Sequence, residues 1–185
     1  MIQPQLAEAE SRMQKSVDAL AKEIQTIRTG RASPSLVDRI AVEYYGNPTP
    51  LNQLATISVP EARMIIIQPW DRSVISAVEK ALQKSELGLN PANDGQIIRV
   101  PIPPLNEERR REYVRLVKRH AEASHVAVRN IRRDHNDRLK AMEKEKQVSA
   151  DESRRAIEQL QKLADRYIAR VDELAARKEG EIMEV

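Results

Sequence analysis

The sequence predicts an α+β protein: a long antiparallel three-helix bundle with a small α/β domain inserted after its first helix. Three observations carry that expectation. Nine of the ten prolines fall between Arg31 and Pro104, the tenth is Pro4, and none follows Pro104. Proline lacks an amide proton and clashes with the preceding helical turn, so long helices survive where it is missing. The proline-free segments, 5–29 and 105–185, both place apolar residues at helical spacing. The intervening stretch instead carries short β-branched runs punctuated by turn residues.

Each element follows in order. Leu6, Ala9, Met13, Val17, Leu20, Ile24 and Ile27 recur every three or four residues and give the first helix one apolar face. Gly30 follows where a left-handed cap would end it. Val37 to Tyr45 reads as a strand, after which Gly46-Asn47-Pro48-Thr49-Pro50 turns the chain. Met64–Ile67 and Gln96–Val100 are two more strands. Between them Asp71 is placed to cap a helix that puts Val74, Ile75, Val78, Ala81 and Leu82 on one face and ends at Gly88.

The second bundle helix opens at Asn106 with Glu107 and Glu108, which suit the free amides and dipole of a helix start. Its stripe is Val117, Ala121, Ser124, Val128, Ile131, His135, Leu139 and Met142. At ~1.5 Å per residue it spans roughly 58 Å. A short break at 145–148 folds the third helix back, and Ser149 with Glu152 reads as its capping box. Ile157, Leu160, Ala164, Tyr167, Val171 and Leu174 form the third stripe. The bundle is thus 1–30 with 105–185, and the insert is 31–104. The chain passes between them only at Thr29-Gly30-Arg31 and Ile102-Pro103-Pro104, which predicts a hinge between two lobes.

Charge is unevenly spread. Residues 109–140 hold 11 Lys/Arg and 4 Asp/Glu, a net of +7, while the rest of the chain is net −4 and the whole is +3. Arg111, Arg115, Lys118, Glu122, His125, Arg129, Arg132, Asn136 and Lys140 form one line along the second helix, with Arg133 at its edge. Like charges three and four residues apart destabilise an isolated helix. A polyanion along the stripe reverses that cost, and guanidinium groups donate bidentately to phosphate. The line therefore predicts a nucleic-acid surface that reads phosphate and shape, with RNA and DNA undistinguished. Arg129 and Arg132, three residues apart, are the predicted phosphate clamps. Arg132 also lies about 40° from the apolar seam, where a bridge to the third helix is its other role. Arg110 projects near the hinge and either orients the lobes or touches RNA.

Other chemistry is excluded or disfavoured. The absence of Cys removes disulfides, thiolate–zinc sites and a cysteine nucleophile. The longest apolar run, Met64–Ile67, is far short of the ~20 residues of a membrane span. Met1-Ile2-Gln3-Pro4 opens no targeting signal, so a cytoplasmic protein without a membrane partner is expected. His120, His125 and His135 share one helix but point about 140° and 80° apart, and so cannot share a metal. No phosphate-binding glycine loop, G-x-S-x-G or acidic metal cluster is present. A non-enzymatic protein with no metal and no cofactor is expected. His135 falls on the apolar seam as a hydrogen-bonded core residue, and Asp134 and Asp137 read as ion-pair partners of arginines. The alternative, a helical scaffold or chaperone, calls for an apolar outer face where this chain has arginine.

Several separated strings resemble the ribosome recycling factor family. They are Ile27-Arg-Thr-Gly-Arg-Ala-Ser-Pro-Ser-Leu36, Glu43-Tyr-Tyr-Gly46, Thr49-Pro-Leu-Asn-Gln-Leu-Ala55 and Gly88-Leu-Asn-Pro91. Ile98-Arg-Val-Pro-Ile-Pro-Pro-Leu-Asn-Glu-Glu-Arg-Arg110 and Val126-Ala-Val-Arg-Asn-Ile-Arg-Arg-Asp134 complete the set. The likeness implies an L-shaped body, a β/α/β sandwich-like small domain, and binding of a monomer to the large ribosomal subunit and its ribosomal RNA after termination. It also implies a partnership with elongation factor G, whose GTP hydrolysis, rather than any cofactor of this chain, drives splitting into subunits. The family's functional arginines fall on Arg110, Arg129 and Arg132, with Arg28, Arg31 and Arg133 in the same strings. Two positions depart from the family: His135 replaces a small residue, and His125 a longer basic one.

Overall fold

The computed structural model describes residues 1–85 and 89–184. They form two compact units, Met1–Thr29 with Glu107–Val185, and Gly30–Asn106. The first unit is three helices, α1 (Ile2–Gln25), α3 (Glu107–Lys144) and α4 (Ala150–Met183), each packed on the other two. The second unit holds α2 (Ile75–Lys84) and six strands.

Side-chain pairs fix the helix directions. Gln5 meets His135 and Glu23 meets His120, so α1 runs antiparallel to α3. Gln14 meets Arg170 further along both helices than Glu10 meets Tyr167, so α1 and α4 run parallel. The shared core contains Ala9, Met13, Leu20, Val117, Val128, Leu139, Leu160 and Val171, all almost fully buried. Each large aliphatic side chain buried in this way contributes roughly 1.5–3 kcal/mol.

Helix ends show local causes. Pro4 sits in the first turn of α1, where its missing amide costs no helical bond. The helix then stops at Gln25, earlier than its stripe predicts. Thr26 Oγ1 donates to the Glu23 carbonyl at 2.7 Å, and the Thr26 and Ile27 amides bond three residues back, which closes the last turn tightly. Gly30 is therefore not the cap, although its φ of +77° is left-handed as expected. Ser149 opens α4 as predicted: its amide donates to Glu152 Oε2 at 2.8 Å, and the Glu152 amide donates to Ser149 Oγ at 3.1 Å.

In the second unit, β1 (Ala41–Tyr44) and β2 (Asn47–Pro50) pair antiparallel as a separate two-stranded sheet. The turn is only Tyr45-Gly46, both with positive φ, so the predicted turn residues Asn47 to Pro50 are instead a strand. A two-stranded sheet has open edges on both sides, which is how Pro48 and Pro50 are accommodated. The strands β3 (Ala55–Glu61), β4 (Met64–Pro69), β5 (Ala92–Asn93) and β6 (Ile98–Pro101) form an antiparallel sheet in the order β3-β4-β6-β5. The edge strands β3 and β5 add to the two strands that the sequence predicts for this sheet. Asp71 caps a 3-10 turn, accepting from the Ser73 amide at 2.9 Å, and α2 begins only at Ile75. The predicted stop at Gly88 lies outside the described residues. The helix touches both β1 and β5, and its Val78 and Leu82 are buried with Val37, Val42, Leu51, Ile65, Ile67, Ile98 and Val100.

Within this unit the incoming and outgoing chain meet. The Ala32 amide donates to Ala62 O at 2.7 Å, and the Ile102 amide to Arg63 O at 2.8 Å, so the β3–β4 turn binds both. A Cβ on Gly30 would lie 3.3 Å from the Leu105 amide nitrogen. Ile102 is in the core, while Pro103 and Pro104 are exposed. No described helix is long and apolar enough to cross a membrane.

Candidate nucleic-acid interface

The charged surface begins with the uneven pairing of arginines. Of the five exposed arginines on α4, three meet acids of their own helix: Arg154 with Asp151 at 2.8 Å and Glu158 at 3.3 Å, Arg155 with Asp151 at 2.8 Å, and Arg177 with Glu173 at 3.5 Å; Arg166 pairs with Glu10 of α1, and Arg170 donates to Gln14 Oε1 of α1 at 2.9 Å. On α3 the run Arg129 to Arg133 has little such compensation. Arg129 is exposed, and its nearest carboxylate is Glu122 at 3.7 Å. Arg132 is half-buried and donates from Nη1 to Gln161 Oε1 of α4 at 3.0 Å. Arg133 is exposed and pairs with no carboxylate among the described residues.

A neutral amide orients a guanidinium without cancelling its charge. Gln161 thus holds Arg132 against α4 by one of its five N–H donors and leaves the others available. The bridge to the third helix expected for Arg132 exists, but to an amide rather than an acid. Three guanidiniums within one turn and a half of helix can clasp successive anionic oxygens, each as a charge-assisted hydrogen bond. The opposite charge beside them, Glu122, is itself drawn toward His125.

The other candidates lie elsewhere. Arg110 is nineteen residues before Arg129, roughly 28 Å along a helix rising ~1.5 Å per residue. It is half-buried, and its Nε is buried without a hydrogen bond to any described residue. Arg28 is half-buried in the segment after α1, and exposed Arg31 belongs to the other unit. Within the bundle unit the structure thus groups Arg129, Arg132 and Arg133 and separates them from Arg110 and Arg28.

The three histidines diverge. His120 Nδ1 is 2.8 Å from Glu23 of α1, and His125 Nε2 is 2.7 Å from Asp172 of α4. His125 also lines a shallow cleft of about 330 Å³ between α3 and α4, together with Ala121, Ala175 and Ala176. His135 is buried, with Nδ1 3.1 Å from Gln5 Oε1 and Nε2 3.1 Å from Arg12 Nη1. Because Arg12 can only donate, Nε2 accepts and Nδ1–H donates, which fixes a neutral ring. Burial pushes its pKa below the ordinary 6.5, and Arg138 and Arg12 act in the same direction. Among the described residues no group of three or more His, Asp or Glu is arranged to hold a metal ion.

Sequence reasoning missed Arg12 and Gln161. Both are polar residues on other helices, and only the packing of α1 and α4 brings them to α3. Of the two predicted ion-pair partners, Asp134 pairs with Arg12 at 2.5 Å and Arg138 at 3.1 Å, whereas Asp137 pairs with no cation among the described residues.

Comparison with known proteins places this geometry. The family model for ribosome recycling factor matches residues 20–183. A ribosome-recycling factor from Halalkalibacterium halodurans is 58% identical over 180 residues, covering 97% of each chain. One from Carboxydothermus hydrogenoformans is 52% identical over 185 residues and covers both chains completely. A solution structure of a ribosome recycling factor matches with a TM-score of 0.76 at 48% identity, covering 100% of this chain and 98% of that one. A T. thermophilus ribosome recycling factor, described with E. coli elongation factor G bound to the E. coli post-termination complex, matches with a TM-score of 0.66. It is 46% identical, and both chains are covered completely.

Proposed function

The chain belongs to the ribosome recycling factor family, and from that premise we propose that it binds the large ribosomal subunit after termination and, with elongation factor G, splits the ribosome into subunits. The observation that supports this reading most is the turn Arg129–Arg133, where among the described residues the three guanidiniums meet one carboxylate, Glu122 at 3.7 Å from Arg129. Arg129 and Arg132 clamp phosphates of large-subunit ribosomal RNA, and Arg133 extends the contact. Arg110 anchors the start of α3, with Arg28 and Arg31 as further contacts beyond the helix.

The protein performs no chemistry of its own in this account. Elongation factor G hydrolyses GTP, and the chain needs no metal or cofactor and acts as a monomer in the cytoplasm. The small unit serves as the lever, moving on Thr29-Gly30-Arg31 and Ile102-Pro103-Pro104. Messenger RNA is released as the subunits part.

Co-sedimentation with isolated large subunits tests the binding half of the proposal. Each lost phosphate contact removes one charge-assisted hydrogen bond of roughly 1.5–3 kcal/mol, or about 10- to 100-fold in affinity. The salt slope falls by about 1 per contact. Arg129→Ala and Arg132→Ala are each expected to fold as wild type, bind more weakly by this amount and show the shallower slope. Unchanged binding of both variants at all salt concentrations contradicts the assignment.

A further inference from the structure

A network of side chains ties α1 to α3 directly beside the arginine turn. Arg12 Nη1 lies 2.5 Å from Asp134 Oδ2 and 3.1 Å from His135 Nε2. Arg138 Nη2 reaches the same Asp134 oxygen at 3.1 Å, while its Nη1 donates to Glu8 Oε1 at 3.1 Å. Gln5 Oε1 takes the remaining ring nitrogen of His135. Glu8, Arg138, Asp134, Arg12, His135 and Gln5 are thus one continuous chain of polar contacts between the first turns of α1 and residues 134–138.

This network has more than a packing consequence. Asp134 follows Arg133 directly and is the acid closest in sequence to the three proposed phosphate-binding arginines. At 100° per residue it points about 140° around α3 from Arg129. Arg12 holds it there and neutralises it. Ridge-and-groove packing repeats along a 38-residue helix, so neighbouring axial settings against an apolar seam lie close in energy. A specific polar lock at one level removes that freedom there.

We propose that Arg12 is a positioning residue for the RNA-binding turn, holding Asp134 against α1 so that Arg129, Arg132 and Arg133 face the ligand, and that His135 makes this hold proton-sensitive. The inference rests on the ribosomal-RNA reading given above. Among the described residues, the charges that shift the His135 ring are Arg138 and Asp134 from α3 and Glu8 and Arg12 from α1. A proton on Nε2 converts an acceptor into a donor that faces the Arg12 guanidinium. The Arg12–His135 bond is then lost, and a further cation stands between Arg12 and Arg138.

The sign of the resulting pH effect is unusual. Acidification ordinarily strengthens binding to a polyanion, because an exposed histidine gains charge. Here protonation of His135 loosens the arginine turn, so affinity drops as pH falls below the ordinary histidine value.

The test measures affinity for isolated large subunits from pH 7.5 to 5.5, with circular dichroism and thermal melts of each variant as a check on folding. At pH 7.5, Arg12→Ala is expected to bind about three- to tenfold more weakly while remaining helical, the scale of one partly exposed charged bridge with its positioning role. Adding Asp134→Asn to Arg12→Ala is expected to recover part of the loss, since no carboxylate is then set free. Wild-type affinity is expected to fall by about threefold or more at the acid end relative to His135→Gln, whose neutral amide does not titrate there. If Arg129→Ala weakens binding while Arg12→Ala does not, the positioning role fails and the RNA reading stands. If wild type and His135→Gln follow the same pH profile, the proton-sensitive half fails. If Arg129→Ala, Arg132→Ala and Arg12→Ala all bind as wild type, the underlying RNA reading fails with it.

Discussion

His135 and Arg132 lie one turn apart on α3 and show how neighbouring polar residues take opposite roles. Arg132 keeps a charge that no acid cancels, because its partner Gln161 is neutral. His135 is kept neutral, because its partner Arg12 is charged and can only donate. The histidine has a stability consequence separate from binding. Its folded pKa is depressed by burial, so between that value and 6.5 the unfolded chain binds more protons than the folded one. Stability is therefore complete above pH 6.5 and declines as pH falls through the window below it. Asp134 has the opposite origin: the Arg12 hydrogen bond holds its carboxyl below the ordinary 3.8, so its contribution is lost only in stronger acid. Thermal melts from pH 7.5 to 5 are expected to show a falling Tm for wild type and a smaller fall for His135→Gln. Equal slopes for the two proteins contradict the neutral-ring assignment. At this scale the sequence reveals that His135 is on the seam and that Arg129 and Arg132 share a face. It does not reveal Arg12 as the partner, since that depends on how α1 and α3 are set against each other.

The elements that were most legible are those with a long period or a self-contained end. The three bundle helices follow from their apolar stripes, and α4 begins at its capping box because Ser149 and Glu152 satisfy each other without outside help. Short elements were less legible. The strand β3 alternates Ala55, Ile57 and Val59 with Thr56 and Ser58, but Pro60 argues against a strand until its edge position is known. The strand β2, with two prolines in four residues, becomes legible only once Tyr45 and Gly46 are seen to make the whole turn. Gly30 is left-handed, as its place after the first stripe predicts, but it is not the helix cap, because Thr26 ends α1 earlier. Its structural demand is twofold: a positive φ and the Leu105 amide 3.3 Å from any added Cβ. Gly30→Ala is expected to destabilise the fold by about 1–2 kcal/mol from the left-handed backbone alone. Urea denaturation measures this, and a loss below a few tenths of a kcal/mol contradicts it.

At the scale of the whole molecule, the near-neutral charge of +3 conceals an acidic protein that carries one basic helix. That division separates work between the two units: α3 supplies the cationic surface, while the small unit has a core of its own and is joined to the bundle by two chain crossings. An independent core lets a unit be displaced without unfolding. The proposal follows that a bound bundle and a driven small unit together separate the ribosomal subunits. The measurement that tests this most directly is the splitting of post-termination ribosomes into subunits, followed by light scattering, with this protein, elongation factor G and GTP each omitted in turn. Splitting only when all three are present is the predicted result. Splitting without elongation factor G, or none with the complete set, contradicts the account.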